Sequence, residues 1–599
     1  MLQPDHRVLL TEALRPPAGF SVDHAIATTY SLSLTATLIA PMTFAATAMH
    51  DLETEAEQPS MHMLDAVQRY VNRTTVFVQA GGIHVPQSHS RVLAFLEDSI
   101  HEVEPPEAFG SFHPKIWAVR YRSEAEQLHH RLIISSRNLT LDNSWDTILV
   151  LDEDPAGVID AQPAGDFLKE LPDLTVHQMT QSRRDKVVDL ATSLTGRFFA
   201  TPPEYRHGQL LPLGIGPRHW DFPTETINAL VISPFLSSGR LDAALPTRGE
   251  AILVSRAESM DELGQDQLID WQTRVLHPAL DDPVHDEVSE DETAFEQLSG
   301  LHAKTAVYDL ANDESVTVTG SANCTNAAWQ QNIEFTAVLY GPTASTGTAA
   351  ILGQEDTLGL ASIIEPYEPA QREAVTDAEQ QLRWEIEQFH RHLARTKPVL
   401  DLTIIDQQTV SVQLRLTAFE HTFGSNTRLW LSTTPGDQRL LSESRPWEVA
   451  PVNVTSFLAV ETTVGSVTRS CILMCRLTGE AIDRRQAVLA ALLSSPDRVL
   501  QYIELLLGVD TPSQATVETQ QRATGITLPT PGAAGNTAFS APVLFEPLML
   551  ATREPQQLAQ IAGQIEELRA LPAADELIPP EFLAMWDTVV AATLPGGST

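Results

Sequence analysis

Two short stretches of this sequence set a histidine and a lysine two residues apart at the start of an apolar run. The first reads Phe112-His113-Pro114-Lys115 and the second Leu301-His302-Ala303-Lys304. That spacing in an extended chain puts both side chains on one face. In each copy a second apolar run ends in a small-residue turn with asparagine: Ser135-Ser136-Arg137-Asn138-Leu139-Thr140, then Gly320-Ser321-Ala322-Asn323-Cys324-Thr325. A tryptophan and an acid follow, Trp145 with Asp146 and Trp329 with Glu334. A single His-x-Lys says little, whereas the whole pattern occurring twice argues for one site. Lys115 to Asn138 spans 23 residues and Lys304 to Asn323 spans 19. The difference falls in the polar connection 122–131, where length varies at little cost.

The chemistry such a set suits is phosphodiester transfer. A neutral imidazole can attack phosphorus and form a covalent phosphohistidine. A second, protonated imidazole can donate to the leaving oxygen and later take a proton from the incoming nucleophile. Histidines titrating near neutrality can hold these opposite roles. Lys115 and Lys304 would neutralise the non-bridging oxygens, while Asn138, Asn323, Ser136 and Ser321 would donate hydrogen bonds as charge builds. No metal and no cofactor is expected. Asp146 and Glu334 either hold the histidine tautomers or are surface acids at strand entrances. Arg120 and Arg122 either extend a positive cleft towards neighbouring phosphates or are exposed strand residues; between 111 and 140 basic residues outnumber acidic ones.

Elements must bring these residues together. Up to about residue 365, short β-branched runs alternate with helical ones, which predicts α/β units. The order (strand 25–31, helices 34–50 and 61–72, strands 75–79, 116–121 and 132–135) restarts near residue 215. There strands 230–234, 251–255, 305–308 and 315–319 follow, with a short helix at 239–245. The expected fold is therefore α/β, with two duplicated lobes about a pseudo-twofold axis, over 1–212 and 213–366. A connecting helix is expected within 367–397, a β-rich domain over 398–480 and a helical region over 481–599, with a Thr/Pro/Gly/Ala-rich linker at 511–542.

At these residues the sequence resembles the phospholipase D superfamily. The second copy fits the pattern HxK(x)4D…GSxN through His302, Lys304, Asp309, Gly320, Ser321 and Asn323. The first departs from it: Arg120 stands at the aspartate position, and Ser135-Ser136-Arg137-Asn138 replaces GSxN. The Asn-(Leu/Cys)-Thr…Trp ending is similar to the tyrosyl-DNA phosphodiesterase branch and to nuclease-like members of bacterial restriction and phage-defence systems. The resemblance covers roughly residues 20–365. It implies one site between the lobes, with His113 as nucleophile, His302 as general acid/base, and Asp309 among the site residues.

Composition bounds the partners. The chain has 599 residues, 39 basic and 78 acidic, for a formal charge of −39. Bulk charge therefore does not hold it to nucleic acid or anionic lipid. No Walker A loop or helicase motif is present, so a basic or ATP-driven partner such as a helicase or translocase is expected to supply affinity for DNA. Homo-oligomerisation stays open. Three cysteines without CxxC spacing, and no basic-then-apolar opening, fit a reducing cytoplasm with no membrane span. The acidic run 281–296 is either a solvated loop or a phosphate mimic lying over the site. Two alternatives remain beside the nuclease reading: a phosphatidyl-transferring enzyme, and a catalytically silent scaffold or sensor.

Overall fold

A computed structural model describes residues 8–593, apart from 46–60, 87–89, 107–109, 142–143, 217–219, 221, 224, 278–299, 354–358, 371–377, 418–422, 444, 508–543, 546–547, 550, 553–554 and 572–573. The acidic run 281–296 and the whole of the expected linker 511–542 lie outside the described residues.

The first lobe is a six-stranded sheet of β1 (Phe20–Thr29), β2 (Thr74–Gln79), β3 (Ile100–Val103), β4 (Ile116–Ser123), β5 (Leu128–Ser135) and β6 (Ile148–Asp152), ordered β3-β2-β1-β4-β5-β6. A ribbon of β7 (Ile159–Asp160) and β8 (Phe198–Phe199) leads into the second lobe. That sheet contains β9 (His207–Leu213), β10 (Thr226–Ile232), β11 (Ala251–Val254), β12 (Gln272–Leu276), β13 (Thr305–Leu310), β14 (Glu314–Gly320), β15 (Glu334–Pro342) and β16 (Ile364–Pro366). Its order is β16-β12-β11-β10-β13-β14-β15-β9. Without the edge strands β16 and β9, this is the first lobe's order again. In each lobe the first three strands pair in parallel and the next three antiparallel. Even a register shift recurs, at Val22/His24 and at Thr226/Asn228. Because β9 pairs with β15, the second lobe's sheet begins at His207 and the expected boundary at 212 falls inside a strand.

The central strands β2 and β11 are buried along their whole length, as runs such as Ala251–Val254 require when helices cover both faces. The expected helix 34–50 is instead two short helices, Leu34–Thr37 and Ile39–Phe44. Pro41 has no N–H to return to Thr37, so the helix breaks there.

After the connecting helix Ala378–Arg395, a β-sandwich is built from β17 (Val399–Ile404), β18 (Val410–Arg415), β19 (Thr427–Leu431), β20 (Arg439–Leu440), β21 (Trp447–Val449), β22 (Phe457–Val464), β23 (Val467–Met474) and β24 (Arg476–Gly479). Its sheets run β21-β18-β17-β24 and β20-β19-β22-β23, and β17 pairs with β24 in parallel. This part is not detached from the lobes. One apolar core contains Val67 and Leu93 of the first lobe, Phe457 and Ile472 of the sandwich, and Leu489, Tyr502 and Trp586 of the C-terminal helices. The N–H of Ile472 donates to the carbonyl of Ile83 at 2.7 Å. The buried carboxylate of Glu102 accepts N–H bonds from Gly81 and from Met474, so it bridges the two bodies.

Burial also sets a pH dependence. Desolvation pushes His24, His101 and His390 down to about 3 and His113 to about 4, so all four are neutral in the fold. Burial raises Glu102 to about 7. Folded values below 6.5 mean that the unfolded chain binds more protons at the histidines. Their stabilisation is complete above pH 6.5 and is lost as pH falls towards 4 and then 3. Glu102 acts in the opposite sense between 4.5 and 7. Four histidines against one carboxyl leave about three net protons taken up on unfolding between pH 6.5 and 4.5. Each net proton is worth roughly 1.4 kcal/mol per pH unit. The urea midpoint is therefore expected to drop from pH 7 to pH 5; a midpoint flat over that range would contradict the buried neutral histidines.

Candidate active site

Both motif histidines stand just before a central strand, β4 in one lobe and β13 in the other, where the lobes meet. Backbone pairing joins them: the N–H of His113 donates to the carbonyl of Ile333 at 2.9 Å, and that of His302 to Trp145 at 3.0 Å. The side chains then cross between lobes. His113 Nδ1 lies 2.9 Å from Glu334 Oε2, and His302 Nδ1 lies 3.0 Å from Asp146 Oδ1. Each lobe's histidine is held by the other lobe's acid.

The serines complete this cross. Ser136 Oγ donates to Asp146 Oδ1 at 2.9 Å and accepts the N–H of Thr147 at 2.9 Å. Ser321 Oγ donates to Glu334 Oε2 at 2.5 Å and accepts the N–H of Phe335 at 2.9 Å. Both serines are fully buried, so they orient the carboxylates. Lys115 Nζ donates to the carbonyl of His113 at 3.1 Å and Lys304 Nζ to that of His302 at 2.8 Å. Both lysines are 2% exposed. Burial, and then the nearby Lys115, hold Lys304 well below the ordinary lysine range. Asn138 Oδ1 lies 3.5 Å from the N–H of Ser31, and Asn323 Oδ1 has no partner among the described residues.

With Glu334 on Nδ1, the His113 tautomer carries its proton there and leaves the Nε2 lone pair for attack. Desolvation outweighs Glu334 and keeps the ring neutral. His302 Nε2, with Asp146 behind the ring, suits proton transfer.

The structure places three of the expected site residues, Asp309, Arg120 and Arg122, away from the motif histidines. Asp309 lies five residues along β13 from Lys304, about 16 Å at the usual rise of an extended chain. Its carboxylate accepts Asn228 Nδ2 at 3.0 Å, Thr348 N–H at 2.9 Å and Thr348 Oγ1 at 2.5 Å, so it pins the strand to the short helix Thr348–Leu352. Arg120 occupies the equivalent far position and pairs with Asp23 and Asp189 at 2.5 and 2.7 Å. Arg122 pairs with Asp23 and Glu126. Neither arginine joins the paired histidines and lysines, because strand direction carries both away from them. Asp309→Ala is expected to cost about 1–3 kcal/mol through lost buried hydrogen bonds while kcat/KM stays near wild type. A thermal melt beside a turnover assay checks this.

The structure also adds residues. Tyr30 sets its ring edge against His113, with centroids 5.3 Å apart. Asn332 accepts the N–H of Ser111 at 3.0 Å and donates to Glu334 Oε1 at 3.2 Å. Arg137 Nε lies 3.9 Å from Asp146 Oδ2 at the rim. Only Arg137 carried a sequence signal, as the variable position of the Ser-x-Asn turn.

No family model matches the chain, and no curated protein does. Among solved structures it is similar to yeast tyrosyl-DNA phosphodiesterase, at 11% identity and a TM-score of 0.34 over 61% of this chain and 96% of that one. It is also similar to phosphatidylserine synthase of Haemophilus influenzae Rd KW20, at 11% identity and a TM-score of 0.32 over 64% of this chain and 90% of that one. Among the described residues no helix is long and apolar enough to cross a membrane.

Proposed function

We propose that the protein is a metal-independent phosphodiesterase of phospholipase D type that cleaves nucleic acid, with DNA the substrate to test first, as the nuclease subunit of a bacterial defence or DNA-processing complex. The observation that carries the phosphodiesterase reading is the crossed pair of His–carboxylate contacts over two buried lysines. DNA and the defence setting rest on the sequence resemblance.

In the first step His113 Nε2 attacks phosphorus. The P–O bond to the leaving group breaks, and His302 gives its Nε2 proton to the departing oxygen. In the second step water attacks phosphorus and gives a proton to His302. The P–N bond then breaks and its electron pair returns to His113. Lys115 and Lys304 face the non-bridging oxygens throughout. Away from this centre, Arg120, Arg122 and Arg131 are engaged by acids of the first lobe. Grip on a long polyanion is therefore assigned to a protein partner.

The test is cleavage of labelled single- and double-stranded DNA with chelator present, beside a choline phospholipid. Cleavage of DNA that survives chelator, with a phosphohistidine trapped on the peptide containing His113, supports the reading. Release of the lipid head group alone transfers the site to lipid chemistry, and cleavage abolished by chelator overturns the metal-independent mechanism.

A further inference from the structure

Two buried side chains outside the motifs recur at one place in both lobes. Gln79 ends β2, and its Oε1 accepts the backbone N–H of Phe112 at 2.6 Å. Arg256 lies two residues beyond β11, and its Nε donates to the backbone carbonyl of Leu301 at 3.1 Å. Phe112 and Leu301 each precede a motif histidine.

The equivalence of Gln79 and Arg256 follows from register. Thr29 and Ser233 both accept, through their hydroxyls, the N–H of the residue after the motif asparagine: Leu139 in one lobe, Cys324 in the other. Thr29 pairs with Val78, and Ile232 pairs with Val254. One residue on, Ser233 stands level with Ser255, so Val78 matches Ser255 and the next residues, Gln79 and Arg256, are counterparts. Two unlike side chains, one an acceptor and one a donor, thus reach past the end of the central strand to the same backbone unit.

Both are almost wholly buried. A buried amide or guanidinium is costly unless its hydrogen bonds are made, so a polar side chain at this place in both lobes marks a demand of the site. The demand is positional. The segments before β4 and β13 are held by isolated bridges between the lobes, Phe112 with Ile333 and Trp145 with Leu301, and not by a full ladder. The Nδ1 contacts to Glu334 and Asp146 depend on where those segments lie.

We propose that Gln79 and Arg256 are a matched pair of positioning residues, each fixing the histidine of its own lobe against the acid of the other. This rests on the two-histidine reading above. A misplacement of about 1 Å in a reacting group costs on the order of 100-fold.

The experiment compares wild type with Gln79→Met, Arg256→Met and Arg256→Gln, the last keeping an N–H donor for Leu301. On bis(p-nitrophenyl) phosphate, kcat is expected to fall about 10- to 100-fold in the two Met variants, with KM changed less than about three-fold. Arg256→Gln should recover most of that loss. In parallel, carbethoxylation of each histidine by diethyl pyrocarbonate is followed by peptide mass mapping. Gln79→Met should speed modification of His113 alone, and Arg256→Met that of His302 alone. Equal acceleration of both histidines in either Met variant means general loosening and overturns the proposal, as do unchanged rates. If wild type hydrolyses nothing while the lobe-specific acceleration persists, the pairing stands and the phosphodiesterase reading falls.

Discussion

His113→Ala is expected to abolish turnover, by about 10⁴-fold or more, because it removes the nucleophile of the proposed mechanism, the ring that Glu334 holds by Nδ1. His302→Ala should fail differently. General acid–base assistance is worth roughly 10²–10⁴-fold, and its loss falls on whichever step needs the proton. With a p-nitrophenolate leaving group the first step needs little acid, so the covalent phosphohistidine forms and then waits for an unassisted water. A burst approaching one equivalent of nitrophenolate, followed by slow release, is the expected trace for His302→Ala, with no burst for His113→Ala. The assignment is reversed if the burst appears in His113→Ala. A similar modest loss in both variants would remove the covalent intermediate altogether. The cross-lobe pairing makes a companion result: Glu334→Gln should resemble His113→Ala in its trace, although the two residues lie in different lobes.

Lys304→Met is the second large effect, and it is expected to move activity and stability in opposite directions. Lys304 is buried beside Lys115, with Arg256 also within electrostatic reach, against the carboxylates Asp146 and Glu334. A lysine held there loses its hydration and gains only part of it back from the carbonyl of His302. Methionine fills the same volume without that cost, and removing one cation leaves the interior charges balanced. The melting temperature should rise, by the equivalent of about 1 kcal/mol or more. Phosphate binding should suffer, because in the proposed mechanism this lysine meets the substrate's charge. A loss of about 10²–10³-fold in kcat/KM is in line with removing one preorganised group. Paired melting curves and kinetics check both signs. A destabilised variant would mean that the lysine serves the fold, and a stabilised variant of normal activity would remove it from the phosphate site.

The motif residues were legible because their chemistry repeats. His113 with Lys115 and His302 with Lys304 appear twice at the same spacing, each before a β-branched run, and the asparagine turns follow at the ends of β5 and β14. The repeat also gave the two-lobe α/β architecture, since equal patterns fold into equal sheets. Asp146 and Glu334 could be matched by position. Whether they were surface acids or partners of the histidines was not written in the chain, because each binds a histidine more than 150 residues away, in the other lobe. The family pattern placed Asp309 with the site, yet a strand of ordinary rise carries it out of reach, and Asn228 and Thr348 take its carboxylate.

By itself, the sequence determined which residues are candidates for chemistry and that there are two sets of them, since local spacing settles side-chain type, face and strand. Only the tertiary structure decided which acid serves which histidine, that Gln79 and Arg256 grip the backbone before each motif, and that the sandwich and C-terminal helices share the first lobe's core. Those are facts of packing between distant segments, and hydrogen bonds and burial across such separations leave no period in the chain.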